Sequence, residues 1–387
     1  MIEQILSYFI FNEVEIIALS LFFLFLLVQL FFYFNYYKKP YSYARKIDGD
    51  NYQVLQSNPK VSVIISSENE AVELSKNLPA ILSQDYPDFE VIVVNDGSTD
   101  ETEELLLSLK LHNPHLYHTY LPYSPDKKFG RKKLAYTIGI KAAKGDVLLF
   151  TEPHSRPISD KWISSMVNEL SDTKEIVLGY SFYKKTKNFF NRIARFDNLL
   201  FSMQYLSMAI KKKPYTGTYR NLAFKKHLFF DNKGFASHLA LENGEDVFIN
   251  QIVNENNTAI AISQDSFIEM SIDRFSLWKQ IKKSYSIAKS HFKNSASVLF
   301  GFEIFSRYLF YLLTIGLIVY AVLAQNWVIL GIAAFLFLFR LIVQLVIINK
   351  CAEHFHSGKF HFSLLLMDMF QPVYNARFRT RHRRGIR

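Results

Sequence analysis

Residues Ile16 to Asn35 read IIALSLFFLFLLVQLFFYFN, about 20 consecutive positions without a charge, the length an α-helix needs to cross a hydrocarbon core about 30 Å thick. A cleaved leader opens on basic residues and closes on small ones, whereas Glu13 and Glu15 precede this run and aromatic residues follow it. The run is therefore read as a first membrane helix. Tyr308 to Ala324 and Trp327 to Ile348 are two further apolar runs, separated only by Gln325 and Asn326, and they read as a membrane hairpin. Arg340 interrupts the second run, as a side chain that either snorkels to the interface or pairs with a neighbouring helix. Phe360 to Tyr374 is apolar but short and holds Pro372, so an interfacial or re-entrant helix is expected there rather than a fourth span.

Positive charge orients these segments. Lys38, Lys39, Arg45 and Lys46 follow the first run, and the chain closes on RFRTRHRRGIR. By the positive-inside rule both flanks are cytoplasmic, which puts the N-terminus and the Gln325-Asn326 turn outside. The expected division is an anchor at 1–37, a cytoplasmic domain at 38–307, a membrane hairpin at 308–348, and an interfacial segment with a basic tail at 349–387. The formal net charge of +10 comes without a zinc-finger, helix-turn-helix or RNA-binding signature. No nucleic-acid partner is expected, and anionic lipid headgroups of the bilayer are the fitting partner for the tail. The single Cys351 excludes an intrachain disulfide.

Between the membrane runs the hydrophobic period changes. VSVII at Val61–Ile65, FEVIVV at Phe89–Val94 and VLLF at Val147–Phe150 are near-continuous apolar stretches, as expected of strands buried on both faces. Helical patterns lie between them, in SSENEAVELSKNLPAILSQ, ETEELLLSLK and RKKLAYTIGIKAAKGD. The alternation predicts an α/β fold with a doubly wound, mainly parallel sheet. Ligands of such sheets collect beyond the carboxyl ends of the strands. At those ends stand Ser66, Glu68 and Glu70, then Asp96, then Glu152 and His154. Lys184 to Lys213 reads as an amphipathic, aromatic-rich helix ending in a basic stop, suited to the membrane surface or to an acceptor groove.

The stretch VSVIISSENEAVELSKNLPAILSQDYPDFEVIVVNDGSTDET resembles the opening of the family-2 glycosyltransferases, and the resemblance runs to about residue 300. Asn-Asp-Gly-Ser alone is ordinary turn chemistry; between a buried strand and a helix it carries the likeness. The resemblance implies a GT-A nucleotide-binding domain and a nucleotide-sugar donor of the UDP-sugar kind. It further implies that the loop after the first strand touches the nucleotide, that Asp96 binds the base or ribose, and that Lys133 of GRKKLAYTIGI lies near the nucleotide. Read without the family, Lys133 is a solvated charge at a helix start.

Relatives usually carry Asp-x-Asp after the third strand, where a carboxylate binds a divalent cation, Mn²⁺ or Mg²⁺, on the donor diphosphate. Here the stretch is LLFTEPHSRPISDKWI, with Glu152 and His154 in those places. Positions i and i+2 of an extended strand face one way, so Glu152 and His154 are the candidate metal ligands, and an imidazole suits Mn²⁺ better than Mg²⁺. Three readings stand: an unusual metal site, a metal-independent site with His154 on the diphosphate, or a decayed site.

Farther on, TGTYRNLAFKKHLFFDNKGFASHLALENGEDVFINQIV resembles the acceptor half of the family. Arg220 and Asn221 fall on the acceptor or diphosphate side. The acidic pair Glu245-Asp246 implies the catalytic base, with Asp246 preferred and Glu245 the alternative; locally the two are also favourable acids at a helix N-terminus. Processive members carry QxxRW, while this chain has WKQIKKSY, keeping Gln280 and Lys283 in kind but placing Ser284 where Trp stands. With about three spans, this favours a single transfer or short extension over a long polymer; one in-line displacement would invert the anomeric centre, and the expected acceptor is a lipid-linked or membrane-proximal glycan. A catalytically impaired scaffold and a subunit of a processive polysaccharide synthase are the alternatives.

Overall fold

The computed structural model describes residues 11–47, 58–123, 130–239, 241, 244–293 and 295–378. Two compact units are present, Met1–Tyr41 with Asn294–Tyr374, and Ser42–Lys293 with Asn375–Arg387. The basic tail from 379 onward lies outside the described residues.

The first unit is helical. Glu13–Phe32 begins with a capping box, in which the Asn12 side chain accepts from Glu15 N while Glu15 accepts from Asn12 N. It runs through a π turn, Tyr33–Tyr37, into Lys39–Ile47. Ala296–Leu323 and Trp327–His354 follow, the latter capped by Asn326, whose side chain accepts from Val328 N and Ile329 N. Among the described residues, three helices are long and apolar enough to cross a membrane. Ala296–Leu323 starts twelve residues ahead of the boundary expected at Tyr308, because its first turns, ASVLFGFEIFSR, are too polar to stand out as a membrane run. Ser363–Arg377 is helical through Pro372.

Arg340 pairs within the protein. Fully buried, it donates to Asp368 Oδ2 at 3.1 Å, Gln29 Oε1 at 3.1 Å, Tyr33 OH at 3.0 Å and Tyr311 OH at 3.0 Å. Arg307 donates to the other Asp368 oxygen at 2.8 Å and to both oxygens of Glu303. Two guanidiniums thus meet two carboxylates, as buried charges require.

The second unit is the α/β domain. Its larger sheet has the order β3-β2-β1-β4-β8-β6-β9, with β1 Val61–Ser67, β2 Phe89–Asp96, β3 Leu116–Leu121, β4 Val147–Phe150, β6 Ile176–Gly179, β8 Leu222–Lys225 and β9 Thr258–Ala261. The first four strands are mutually parallel; β8 runs antiparallel to β4 and β6, and β6 is parallel to β9. A second sheet, β5-β10-β7, joins Ser155–Pro157, Ile268–Met270 and Ser181–Tyr183.

Both faces of the central strands are covered. Val61, Val63 and Ile65 pack in one cluster with Leu74, Leu78, Ile81 and Trp162. On the other face the helix Arg131–Ala142 lies so close that a Cβ at Gly139 would stand 2.7 Å from Ile64 Cγ2. Glycine admits that approach. The helix expected within Lys184–Lys213 is Phe189–Ile210, and most of it is buried in the domain, which leaves its Asp197, Asn198 and Phe201 at a cavity.

Candidate active site

The carboxyl ends of β1, β2 and β4 open on a cavity of about 540 Å³. The loops after β1 and β2 are bonded to each other. Asn69, at a φ of 54°, accepts from Thr99 N at 2.8 Å and receives a Ser98 Oγ acceptor at its own N–H at 2.9 Å, while Ala71 N donates to Asp100 Oδ2 at 3.1 Å. Asn95 accepts from Ser98 N at 3.0 Å. Gly97 turns the chain at a φ of +67°, and a Cβ there would sit 2.8 Å from Tyr123 Cα. These five residues of Asn-Asp-Gly-Ser-Thr-Asp build the turn, and Asp96 alone is directed to the cavity, where Arg131 holds its Oδ1 at 2.6 Å.

Ser66, Glu68 and Glu70 line the cavity. Glu70 Oε1 lies 2.8 Å from His154 Nε2, and the other ring nitrogen faces Glu73 at 3.8 Å. Burial opposes the charged imidazole, but the Glu70 hydrogen bond and the surrounding carboxylates outweigh it and raise its pKa. The His154 segment is fixed from both sides, since Asn77 donates to Pro153 O at 2.8 Å and Ser271 N donates to His154 O at 3.0 Å.

The lysine in the cavity is Lys132. Its Nζ stands 2.7 Å from Glu152 Oε1 and 3.2 Å from Glu245 Oε1, and 5.7 Å from the centre of the Tyr136 ring. Burial works against this ammonium, yet Glu152 and Glu245 carry its pKa well above the ordinary lysine value. Lys133 is corrected in place: it is buried away from the cavity, and its Nζ donates to the carbonyls of His238, Leu239 and Leu241. One step along a helix turns a side chain by about 100°, so the two lysines of GRKKL answer to different surroundings.

Arg220 is buried and donates to Tyr183 OH at 3.0 Å, Asn198 Oδ1 at 3.2 Å and Met270 Sδ at 3.8 Å, all neutral partners, with the Glu152 carboxylate acting on it through space. Asn221 is corrected: it is wholly buried, donates to Tyr180 O and Ser266 O at 2.8 Å each, and accepts from Trp162 Nε1. It ties β8 to its neighbours and does not reach the cavity. Gln280 and Lys283, on the helix Phe275–Lys289, do line it. Beside them Lys282 pairs with Asp197 at 2.6 Å. Ser284 leaves its own position without a ring, but Tyr285 follows it at the cavity and packs edge-on against Phe201 at 4.6 Å between centroids. Sequence reading passed over Tyr285, Arg131 and Lys132; the last two were legible only as a basic run.

Glu245 and Asp246 begin the helix Glu245–Ile252 and line the same cavity. Burial raises a carboxyl, but for Glu245 Lys132 and the Gly244 N–H outweigh it and lower its pKa. Asp246 goes the other way: burial first, then the neighbouring Glu245 charge, push its carboxyl well up. Adjacent acids are thereby divided into one held as an anion and one with raised proton affinity.

A divalent cation on Glu152 and His154 is the remaining expectation, and the donor set does not fit it. Glu152 Oε1 is paired with a lysine and both nitrogens of His154 face carboxylates, so a cation bound by these two side chains would have to displace Lys132 and the Glu70 hydrogen bond. Among the described residues no group of three or more His, Cys, Asp or Glu side chains is arranged to hold a metal ion.

Residues 62–233 match the model of glycosyl transferase family 2. Glycosyltransferase AglE of Haloferax volcanii is 29% identical over 183 residues, 47% of this chain and 57% of that protein. The GalNAc(5)-diNAcBac-PP-undecaprenol β-1,3-glucosyltransferase of Campylobacter jejuni is 25% identical over 130 residues, 34% of this chain and 40% of that protein. The chain thus spans less than two thirds of the length of these curated relatives. Among solved structures, the mannosyltransferase PcManGT from Pyrobaculum calidifontis, in complex with GDP-Man and Mn²⁺, superposes with a TM-score of 0.58 at 16% identity, covering 92% of this chain and 99% of that one. Residues 62–233, which carry β1, β2, β4 and β8 of the cavity, thus match glycosyl transferase family 2, and the fold is shared with the mannosyltransferase.

Proposed function

We propose that the chain transfers a sugar from a nucleotide diphosphate donor to a lipid-linked or membrane-proximal acceptor in one displacement, with Asp246 as the base. The observation that carries this reading is the division of the adjacent acids: Glu245 is neutralised by Lys132, while Asp246, at the same helix start and cavity, has its proton affinity raised. A carboxylate of that kind takes the acceptor hydroxyl proton as the oxygen attacks the anomeric carbon. The bond from that carbon to the diphosphate oxygen breaks, its electron pair leaves with the diphosphate, and the anomeric centre inverts. Asp96 and the loop after β1 receive the nucleoside, and Arg220 and Lys132 face the departing diphosphate. Ser284 in the place of a stacking Trp favours a single transfer over polymer extension.

Three apolar helices and the lysines and arginines after the first of them support an integral membrane protein with its α/β domain on the cytoplasmic side. The undecaprenol-linked acceptor named for the Campylobacter relative supports a lipid carrier here. The test is incubation of the purified protein with a panel of radiolabelled nucleotide sugars and a membrane lipid extract. Transfer by the unaltered chain that disappears in Asp246→Asn supports the reading; equal transfer by both removes Asp246 as the base.

A further inference from the structure

We propose that this chain holds the donor diphosphate with two fixed side-chain cations, Lys132 and Arg220, in place of a divalent metal ion. The inference rests on the transfer reading above and specifies how its donor is bound.

A hard divalent cation needs several oxygen ligands with lone pairs turned to one point. At the ends of β1 and β4 the acids are committed elsewhere. The Lys132 ammonium occupies the space between Glu152 and Glu245, at 2.7 and 3.2 Å, and His154 stands between Glu70 and Glu73 with a nitrogen toward each. An ammonium carries three N–H donors. Two of them serve these carboxylates, and the third remains for an oxygen of an entering diphosphate. A lysine is a compact point charge that binds phosphate well without the planar match an arginine makes.

Arg220 supplies the second charge. Its hydrogen-bond partners, Tyr183, Asn198 and Met270, are neutral and orient the guanidinium, while the Glu152 carboxylate acts on it only through space. A buried guanidinium that no carboxylate hydrogen-bonds is stabilised by an entering anion. Lys132 and Arg220 both line the cavity that holds Asp96 and Asp246, so a nucleotide whose base end reaches Asp96 brings its diphosphate between them. Taken together they present fixed N–H donors to the two phosphates, anchored in the protein, where a metal would present open coordination positions.

The experiment is calorimetric titration of the full chain in detergent micelles with UDP and with GDP, once in EDTA and once with added Mn²⁺, alongside the electron paramagnetic resonance signal of free Mn²⁺. The expected result is binding of one of these nucleotides in EDTA, with an affinity that Mn²⁺ changes by less than about threefold, and no loss of the free Mn²⁺ signal when nucleotide is added. Lys132→Met weakens binding about tenfold or more, and Lys132→Arg restores most of it. Removing the lysine leaves Glu152 and Glu245 facing each other, so Lys132→Met/Glu152→Gln, which removes both charges, serves as the folded reference. Tightening by Mn²⁺ of more than about tenfold in the unaltered chain, or nucleotide-dependent uptake of Mn²⁺, overturns the inference and leaves the transfer reading intact. Failure of both nucleotides to bind under either condition overturns the two together.

Discussion

Arg131 holds the Asp96 carboxylate at 2.6 Å across the turn that follows β2. The only acid of the Asn-Asp-Gly-Ser-Thr-Asp stretch aimed at the cavity is therefore fixed before a nucleotide arrives, and Arg131 is itself steadied by donating to Pro122 O at 3.0 Å. Asp96→Asn keeps the shape and removes the charge. We expect it to weaken nucleoside diphosphate binding about tenfold, the worth of one charge-assisted hydrogen bond, as read by calorimetry. An unchanged affinity would show that the nucleoside binds elsewhere.

Transfer should follow the ionisation of Asp246. Burial and the adjacent Glu245 push its carboxyl up to about 8, and a base acts only when deprotonated. Activity therefore climbs as pH rises through that value and is lost as pH falls below it, whereas an ordinary Asp is fully ionised by about pH 5. Glu245→Gln removes the repelling charge and should move the rising limb to lower pH. Initial rates between about pH 6 and about pH 9 check both statements. Asp246→Asn should lower the rate by about 10²–10⁴ while leaving nucleotide affinity within about twofold.

In the helical unit Asp368 serves two buried guanidiniums, Arg307 and Arg340. Asp368→Asn leaves them with one carboxylate, Glu303, and should cost about 3–5 kcal/mol. Arg340→Gln alone should also destabilise, and the double change should cost less than the sum, because the two share one interaction. Melting temperatures of the four proteins in one detergent complete the cycle.

Gly139→Ala isolates the approach of the helix Arg131–Ala142 to the sheet. Alanine favours a helix by up to about 1 kcal/mol, but here its Cβ would lie 2.7 Å from Ile64 Cγ2, and overpacking costs about 1–3 kcal/mol. The net expectation is a lower melting temperature, together with weaker nucleotide binding, since Arg131 and Lys132 ride on that helix. A rise in melting temperature would show that Ile64 moves aside freely.

The parts of the fold legible in the sequence were those with a strong period. β1, β2 and β4 are buried on both faces and read as unbroken apolar runs, and the membrane-length helices lack charges over long stretches. β3 was missed because LYHTYL is buried only at its two ends, and β6 through β10 are three or four residues long, too short to show a repeat. At the cavity, acids at strand ends were found because topology dictates where they point. Lys132 and Lys133 were confused because a family motif locates a helix turn, while the direction of one side chain depends on packing. Asp368 came from another helix to join Arg340 to Arg307, a pairing that no local pattern encodes.

The bonds among Asn69, Ser98, Thr99, Ala71 and Asp100 make the two strand-end loops one unit despite about thirty residues of separation in sequence. For anyone recasting this protein toward another nucleotide, the graft has to carry both loops. A replacement in the second alone would strip Asn69 and Ala71 of their partners and loosen the first, so altered specificity would arrive with a blunted site. Drift at these positions is likewise expected in step, with a change at 69 answered by one at 98 or 99.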